Sequence, residues 1–303
     1  MLLGCPGCRQ RAKPADRKDA STQPAAASQP AIWVGLRRSS YGLPAKNADH
    51  EWWAGRAKSF AANFPNARPV IIEIVSGYQY ADGSTEFEFA RPADLAGPAE
   101  NISFRQGPLD HEQALRTYEA RGVKAIIQVE PGSAGVARCL EIAYHKFGRH
   151  PCVIGYGVDA EWYLNKESPD RAGRPVSDAD AKRWMETVAS FKSANNLFLK
   201  HWDPKHMPPS YRHDGLWFLT DSQAFAGRAE MLADFRAWAG AFKGGATGYQ
   251  FGYPNDRRWW SRLANPPADL GRAVRQEIPD CRYLIWVDFT AAKVEFGAAG
   301  AAK

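Results

Sequence analysis

Residues 152–162 read CVIGYGVDAEW, an apolar run that ends in two acids and a tryptophan. The run Cys152–Val158 does not alternate polar with apolar residues, which suits a strand buried on both faces. The same design recurs along the chain, at Ile32–Leu36, Val70–Val75, Lys124–Val129, Leu197–His201, Leu216–Thr220, Thr247–Phe251 and Tyr283–Val287. Helices are expected between most of these runs, at His50–Asn63, Asp110–Ala120, Ser133–Phe147, Asp178–Ser193, Arg228–Phe242 and Ala268–Gln276, with Ser177 as the N-cap of the fourth. Eight strands alternating with helices over about 250 residues predict an α/β fold, a (β/α)8 TIM barrel. A doubly wound open sheet is the rival, and the first run lacks the glycine-rich phosphate turn that would favour it. Residues 202–215, WDPKHMPPSYRHDG, are broken by prolines, so one helix is expected to be missing between strands 5 and 6. The long stretch Gly77–Gly107 holds a strand-like Thr85–Phe89 and is expected to form a hairpin over one rim.

Outside this pattern the chain is plain. Residues 1–30 are rich in Ala, Pro, Ser and Gln and read as a tail or linker, residues 31–296 as one catalytic domain, and 297–303 as a second tail. Of the 303 residues 45% are hydrophobic and 24% charged, which excludes wholesale disorder, and no apolar run is long enough to span a membrane. The net charge of +6 is dispersed and does not point to nucleic acid. Five sparse cysteines make no disulfide scaffold, and Cys5-Pro6-Gly7-Cys8 has no second pair beside it to build a metal site. Leu2-Leu3-Gly4-Cys5 resembles the lipobox of bacterial lipoproteins, in which Cys5 would carry lipid. That likeness implies an extracytoplasmic protein, periplasmic, lipid-anchored or secreted.

In a (β/α)8 barrel the reactive groups gather at the carboxyl ends of the strands. Those ends carry Ser76-Gly77-Tyr78, Gln128-Val129-Glu130, Asp159-Ala160-Glu161-Trp162, Lys200-His201-Trp202, Asp221-Ser222-Gln223, Gln250 with Tyr253, and Trp286-Val287-Asp288. The opposite ends carry turn residues such as Pro69, Gly122, Pro151 and Gly245. Period two along a strand puts Asp159 and Glu161 on one side. Two neighbouring carboxyls resist double ionisation, which yields an acid and a negative partner near neutral pH, the pairing that glycosidic cleavage needs. A structural carboxylate pair held by Lys or Arg is the competing reading. Glu130 is the rival partner for Glu161, and His201 rather than Lys200 is expected to point inward.

Eleven Trp, eleven Tyr and fifteen Phe suit a protein that stacks sugar rings. Trp162, Trp202, Tyr253 and Trp286 are the ring-bearing candidates for binding. Asp221, Gln223, Gln250 and Asp288 are candidates for bonding hydroxyls, with hydrogen bonding inside the barrel as their alternative. Adjacent pairs Trp52-Trp53 and Trp259-Trp260 are expected to give one rim or groove residue each, whereas Trp184 and Trp238 read as core.

Gly157-Val158-Asp159-Ala160-Glu161-Trp162 resembles the fourth-strand motif of family 18 chitinases, and the aspartate–x–glutamate is similar to the site of family 25 lysozymes. In direct alignment the chitinase acid falls on Tyr163, and Ile32–Arg37 lacks the first-strand aspartate of the lysozymes. The likeness is therefore to carbohydrate-active barrels as a class. It implies Glu161 as general acid, Asp159 as a group that orients a substrate 2-acetamido or tunes Glu161, an N-acetylhexosamine polymer as substrate, and no cofactor. Two alternatives stand beside it: a sugar-binding barrel without turnover, and a metal-dependent hydrolase using His201, Asp203 and His206. An acyl-transfer serine is weaker, since no G-x-S-x-G occurs.

Overall fold

Eight parallel strands close into a barrel in chain order, each paired with its sequence neighbours and the last with the first. The structure is a computed structural model that describes residues 31–42, 49–169, 171–191 and 196–297. The tail at 1–30, with Cys5 and Cys8, lies outside the described residues. In chain order the elements are β1 (Ile32–Arg38), α1 (His50–Ala61), β2 (Ala67–Ile74), β3 (Ser76–Tyr78), β4 (Thr85–Phe87), β5 (Ile102–Phe104), α2 (His111–Arg121), β6 (Lys124–Val129), α3 (Val136–Phe147) and β7 (Val153–Asp159). Then come α4 (Asp178–Ala189), β8 (Leu197–Lys200), β9 (Leu216–Thr220), α5 (Arg228–Ala241), β10 (Ala246–Phe251), α6 (Arg257–Trp260), α7 (Pro266–Glu277), β11 (Tyr283–Trp286) and α8 (Asp288–Ala291). The barrel strands are β1, β2, β6, β7, β8, β9, β10 and β11, so this is a (β/α)8 barrel. Between β8 and β9 only a 3-10 turn, Pro204–His206, replaces the helix, as the prolines predict. Ser177 caps α4 in a reciprocal box: its hydroxyl accepts from the Asp180 N–H, and the Asp180 carboxylate accepts from the Ser177 N–H. Among the described residues no helix is long and apolar enough to cross a membrane.

Two cores share the strands. Val70, Ile72, Ile126, Phe198, Trp217, Leu219, Tyr283 and Ile285 fill the barrel lumen, with Trp217 stacked on Tyr283 at 3.4 Å between ring centroids. The alternate residues, among them Ile71, Ile127, Leu199, Phe218 and Trp286, pack outward under the helices. This parity decides which polar side chains reach a site. In β7 it is reset by a bulge at Ile154: Val153 pairs with Ala125, but Gly155 pairs with Ile126 and Gly157 with Gln128. The extra residue turns Gly155, Gly157 and Asp159 inward. A Cβ on Gly157 would sit 2.0 Å from the Phe198 ring, so the missing side chain there is the room that Phe198 occupies. Phe198 thereby forms a floor below Asp159. Lys200 shares the parity of Phe198 and points into the barrel, while His201 faces outward, the reverse of the sequence expectation.

The stretch after β2 is more than a hairpin. β3 pairs antiparallel with β4, and β5 joins β4 in parallel, giving a three-stranded sheet over the barrel mouth. Trp184 and Trp238 are buried core residues, as expected.

Candidate active site

A cavity of about 600 Å³ opens at the carboxyl ends of the barrel strands. Its floor and far wall are Glu130, Asp159, Lys200, Asp221 and Tyr253; Glu161 and Trp162 lean over it, and Tyr41, Tyr78, Tyr80 and Glu88 close the other side. Asp159 ends β7. Glu161 does not continue the strand as the period-two argument assumes: it stands in a 3-10 turn, Ala160–Trp162, and reaches the cavity from there. That turn is held from behind. Asn165 Nδ2 donates to the Glu161 carbonyl at 2.7 Å, and a Cβ on Gly173 (φ 82°) would lie 2.1 Å from the Ala160 carbonyl oxygen.

Lys200 is the hub. Its Nζ lies 2.8 Å from Asp159 Oδ2 and donates to Asp221 Oδ2. Gln128 Nε2 is 3.4 Å from the same Asp159 oxygen, and among the described residues Asp159 Oδ1 has no hydrogen-bond partner. Burial acts against the Lys200 charge, but Asp159, Asp221 and Glu161 hold its pKa well above the ordinary value. Lys200 is thus a fixed cation and not an amine nucleophile. Burial pushes Asp159 up to about 7 against the pull of Lys200, with Glu130 and Asp221 adding to the rise. Glu161 is raised well above the usual carboxyl range, by burial first and then by the negative charges of Asp221 and Asp159, which Lys200 only partly offsets. Glu130 accepts from the Tyr41 hydroxyl at 2.6 Å and from the Tyr78 N–H at 3.0 Å, and burial still raises its pKa. The result is a Glu161 carboxyl shifted toward its protonated form beside two acidic side chains that share one cation. Such a group can donate a proton to a bound substrate.

Not every sequence candidate arrives here. Gln223 lines the cavity and takes a hydrogen bond from Asn255 Nδ2 at 3.1 Å. Gln250 stays inside the barrel and donates to the Tyr253 hydroxyl, so it positions that ring. Asp288 is buried away from the cavity and clamps Arg37 at 2.6 Å, and Ser39 as well. Trp286 packs outward against Phe251 and Trp260 and donates to Thr290 Oγ1 at 2.9 Å. His201 is buried outside the lumen. Its Nε2 donates to the Ala172 carbonyl at 2.6 Å, and its Nδ1 accepts from the Asp203 N–H at 2.8 Å. Both ring nitrogens are therefore engaged, and among the described residues no His, Cys, Asp and Glu group converges into a metal-ligand set. Trp202 is 47% exposed on the same face but off the cavity wall. Trp53 and Trp260 are buried, Trp52 and Trp259 half-buried in the outer layer, and none of the four lines the cavity. Tyr163 is buried edge-on against Trp184, so the position aligned with the chitinase acid faces the helices.

Sequence reasoning sets Lys200 aside in favour of His201, names Tyr78 only as a strand-end residue, and does not single out Arg37, Tyr41, Tyr80 or Glu88, all of which line the cavity. Tyr78 stacks on Trp162 at 4.7 Å, and Tyr80 meets the same indole edge-on at 5.6 Å. One signal was available for the rings: they fall on segments following barrel strands, the segments that build this face. Neither protein-family models nor curated proteins give a match to the chain.

Proposed function

We propose that the protein is a glycoside hydrolase acting on a polysaccharide, with Glu161 as the general acid. The observation that carries this reading is a buried carboxyl on a cavity of about 600 Å³, its pKa raised by burial, set beside two acids that share Lys200 and an aromatic wall. Glu161 gives its proton to the glycosidic oxygen as the C–O bond breaks. Asp159 and Asp221, anchored by Lys200, face the positive charge that develops at the anomeric carbon. Water adds to that carbon, and the proton it releases restores Glu161. Tyr78, Trp162 and Tyr80 offer faces for the apolar side of a pyranose. The likeness to chitinases and lysozymes favours an amino-sugar polymer, met outside the cytoplasm.

The test is Glu161→Gln against a panel of labelled glycans and peptidoglycan. Turnover is expected to fall about 10²–10⁴-fold with ligand affinity retained, because general acid catalysis contributes on that order. A wild type that binds a glycan tightly and never cleaves it would favour a binding barrel, a reading that the double engagement of Lys200 also permits.

A further inference from the structure

Among the described residues the cavity is lined by six carboxyl side chains, Glu86, Glu88, Glu130, Asp159, Glu161 and Asp221, and by three cations. All three cations are already engaged. Arg37 is bound to Asp288 behind the wall, Arg105 to Glu86 at 2.6 Å, and Lys200 to Asp159 and Asp221 together. Glu130 is 4% exposed and has only neutral donors, the Tyr41 hydroxyl and the Tyr78 N–H. Asp159, 2% exposed, keeps one oxygen without any hydrogen bond. Among the described residues, none of the buried donors left unpartnered lies on this wall. Buried carboxylates without counter-charge are costly, so they take up protons or wait for a cation. A ligand that completes this wall brings N–H donors and positive charge. Beside Glu130 stand the stacked Tyr78 and Trp162 with Tyr80 edge-on, and ring faces attract cations as well as sugar C–H groups.

We infer that the sugar unit seated against Glu130 and the Tyr78–Trp162–Tyr80 wall carries a free ammonium group, so the substrate is a hexosamine glycan wholly or partly lacking its N-acetyl groups. This rests on the hydrolase reading for the sugar and on the charge balance of the wall for the ammonium. An acetamido group would present a carbonyl that needs a donor, and among the described residues the buried atoms of the wall that make no hydrogen bond, on Glu88, Asp159 and Asp221, are all acceptors. An ammonium offers three donors to Glu130 and Asp159 and supplies the missing charge.

The probes are fully deacetylated and fully N-acetylated hexamers of β-1,4-glucosamine and of α-1,4-galactosamine. Binding is measured by calorimetry on Glu161→Gln, where turnover is stalled, and cleavage on the wild type. A deacetylated hexamer is expected to bind at least about ten-fold more tightly than its acetylated twin at pH 7 and low salt, as charge-assisted contacts do. That advantage should shrink as salt rises. Adding Glu130→Gln to the Glu161→Gln protein should cut affinity for the deacetylated hexamer about ten-fold and that for the acetylated one by less, so that the preference narrows. Should the double variant not fold, the salt dependence decides alone. Equal or tighter binding of the acetylated hexamers, a salt-independent preference, or no binding of either kind overturns the inference. Cleavage of acetylated glycans alone leaves the hydrolase standing and removes the ammonium. Salt-sensitive binding of a deacetylated hexamer without cleavage does the reverse.

Discussion

Two buried acid clusters, one on the outer side of β2 and one in the cavity, behave in opposite ways in this barrel. Glu73, on the helix-facing side of β2, accepts from Arg38 Nη1 at 2.5 Å, from His111 Nδ1 at 2.7 Å and from the Tyr118 hydroxyl at 3.1 Å. Burial alone would raise its pKa, but Arg38, His111 and Tyr118 overrule burial and hold it below the ordinary value. In the cavity cluster one lysine serves two carboxylates, and Glu161 and Glu130 have no cation of their own. There burial prevails and the pKa values rise. The residue types and depth are alike. What differs is the number of donors per acceptor, and that number separates a carboxylate whose pKa its partners lower from a carboxyl whose pKa burial raises.

The sharpest way to break this contrast is Glu73→Gln. The substitution leaves Arg38 buried with no anion, and an arginine cannot shed its charge to escape. A stability loss of about 3–5 kcal/mol is expected at pH 7, read from the urea midpoint, as for other buried pairs that lose one partner. Turnover of the folded fraction should stay within about two-fold, because Glu73 touches nothing in the cavity. A loss below about 1 kcal/mol would mean that the cluster is not the structural member of the pair.

Lys200→Met probes the other cluster, and its cost should depend on pH. Asp159 and Asp221 lose their cation, but unlike Arg38 they can neutralise themselves by binding protons. The folded pKa of Asp159, already raised by burial, then rises further without Lys200, so stability falls as pH climbs from the ordinary carboxyl range. A deficit of about 1–3 kcal/mol at pH 8, shrinking toward pH 5, is expected from thermal melts at both values, together with loss of turnover. A deficit independent of pH would show that Lys200 stabilises by packing and not as the shared counter-ion.

The same lysine marks where the sequence could be read and where it could not. The eight runs, the interrupted helix between β8 and β9 and the Ser177 cap are local signals: apolar length, proline placement and capping chemistry. The cluster of Asp159, Glu161, Glu130 and Asp221 followed from their places at strand ends. Inward or outward parity did not follow, because a strand apolar on both faces carries no alternation to read. In Leu197-Phe198-Leu199-Lys200-His201 either frame is apolar, and the inward one is fixed by Phe198 filling the space left by Gly157, a partner on another strand. Trp286 is placed outward by the same tertiary choice. The bulge at Ile154, which aims Asp159, is equally silent in sequence. Tyr78, legible only as a strand-end residue, and Tyr80 are hidden for another reason: they ride on an inserted sheet whose position over the mouth is set by pairing, not by composition.

The smallest effect is also the most diagnostic, and it concerns Glu161→Gln as a stability variant. Glutamine has nearly the shape of a protonated glutamate and never ionises. In the wild type the folded chain keeps a proton on Glu161 that the unfolded chain releases above about pH 4.3. Wild-type stability must therefore decline as pH rises through the window between that value and the raised folded pKa. The variant has no such decline from this site. The two proteins should melt together near pH 4–5, and the variant should become progressively the more stable toward pH 8 while remaining inactive. Gain of stability with loss of turnover is the mark of a carboxyl kept protonated for use. If melts at pH 8 find the variant equal to the wild type, Glu161 ionises freely. It then belongs with Glu73, among the acids whose surroundings already satisfy their charge.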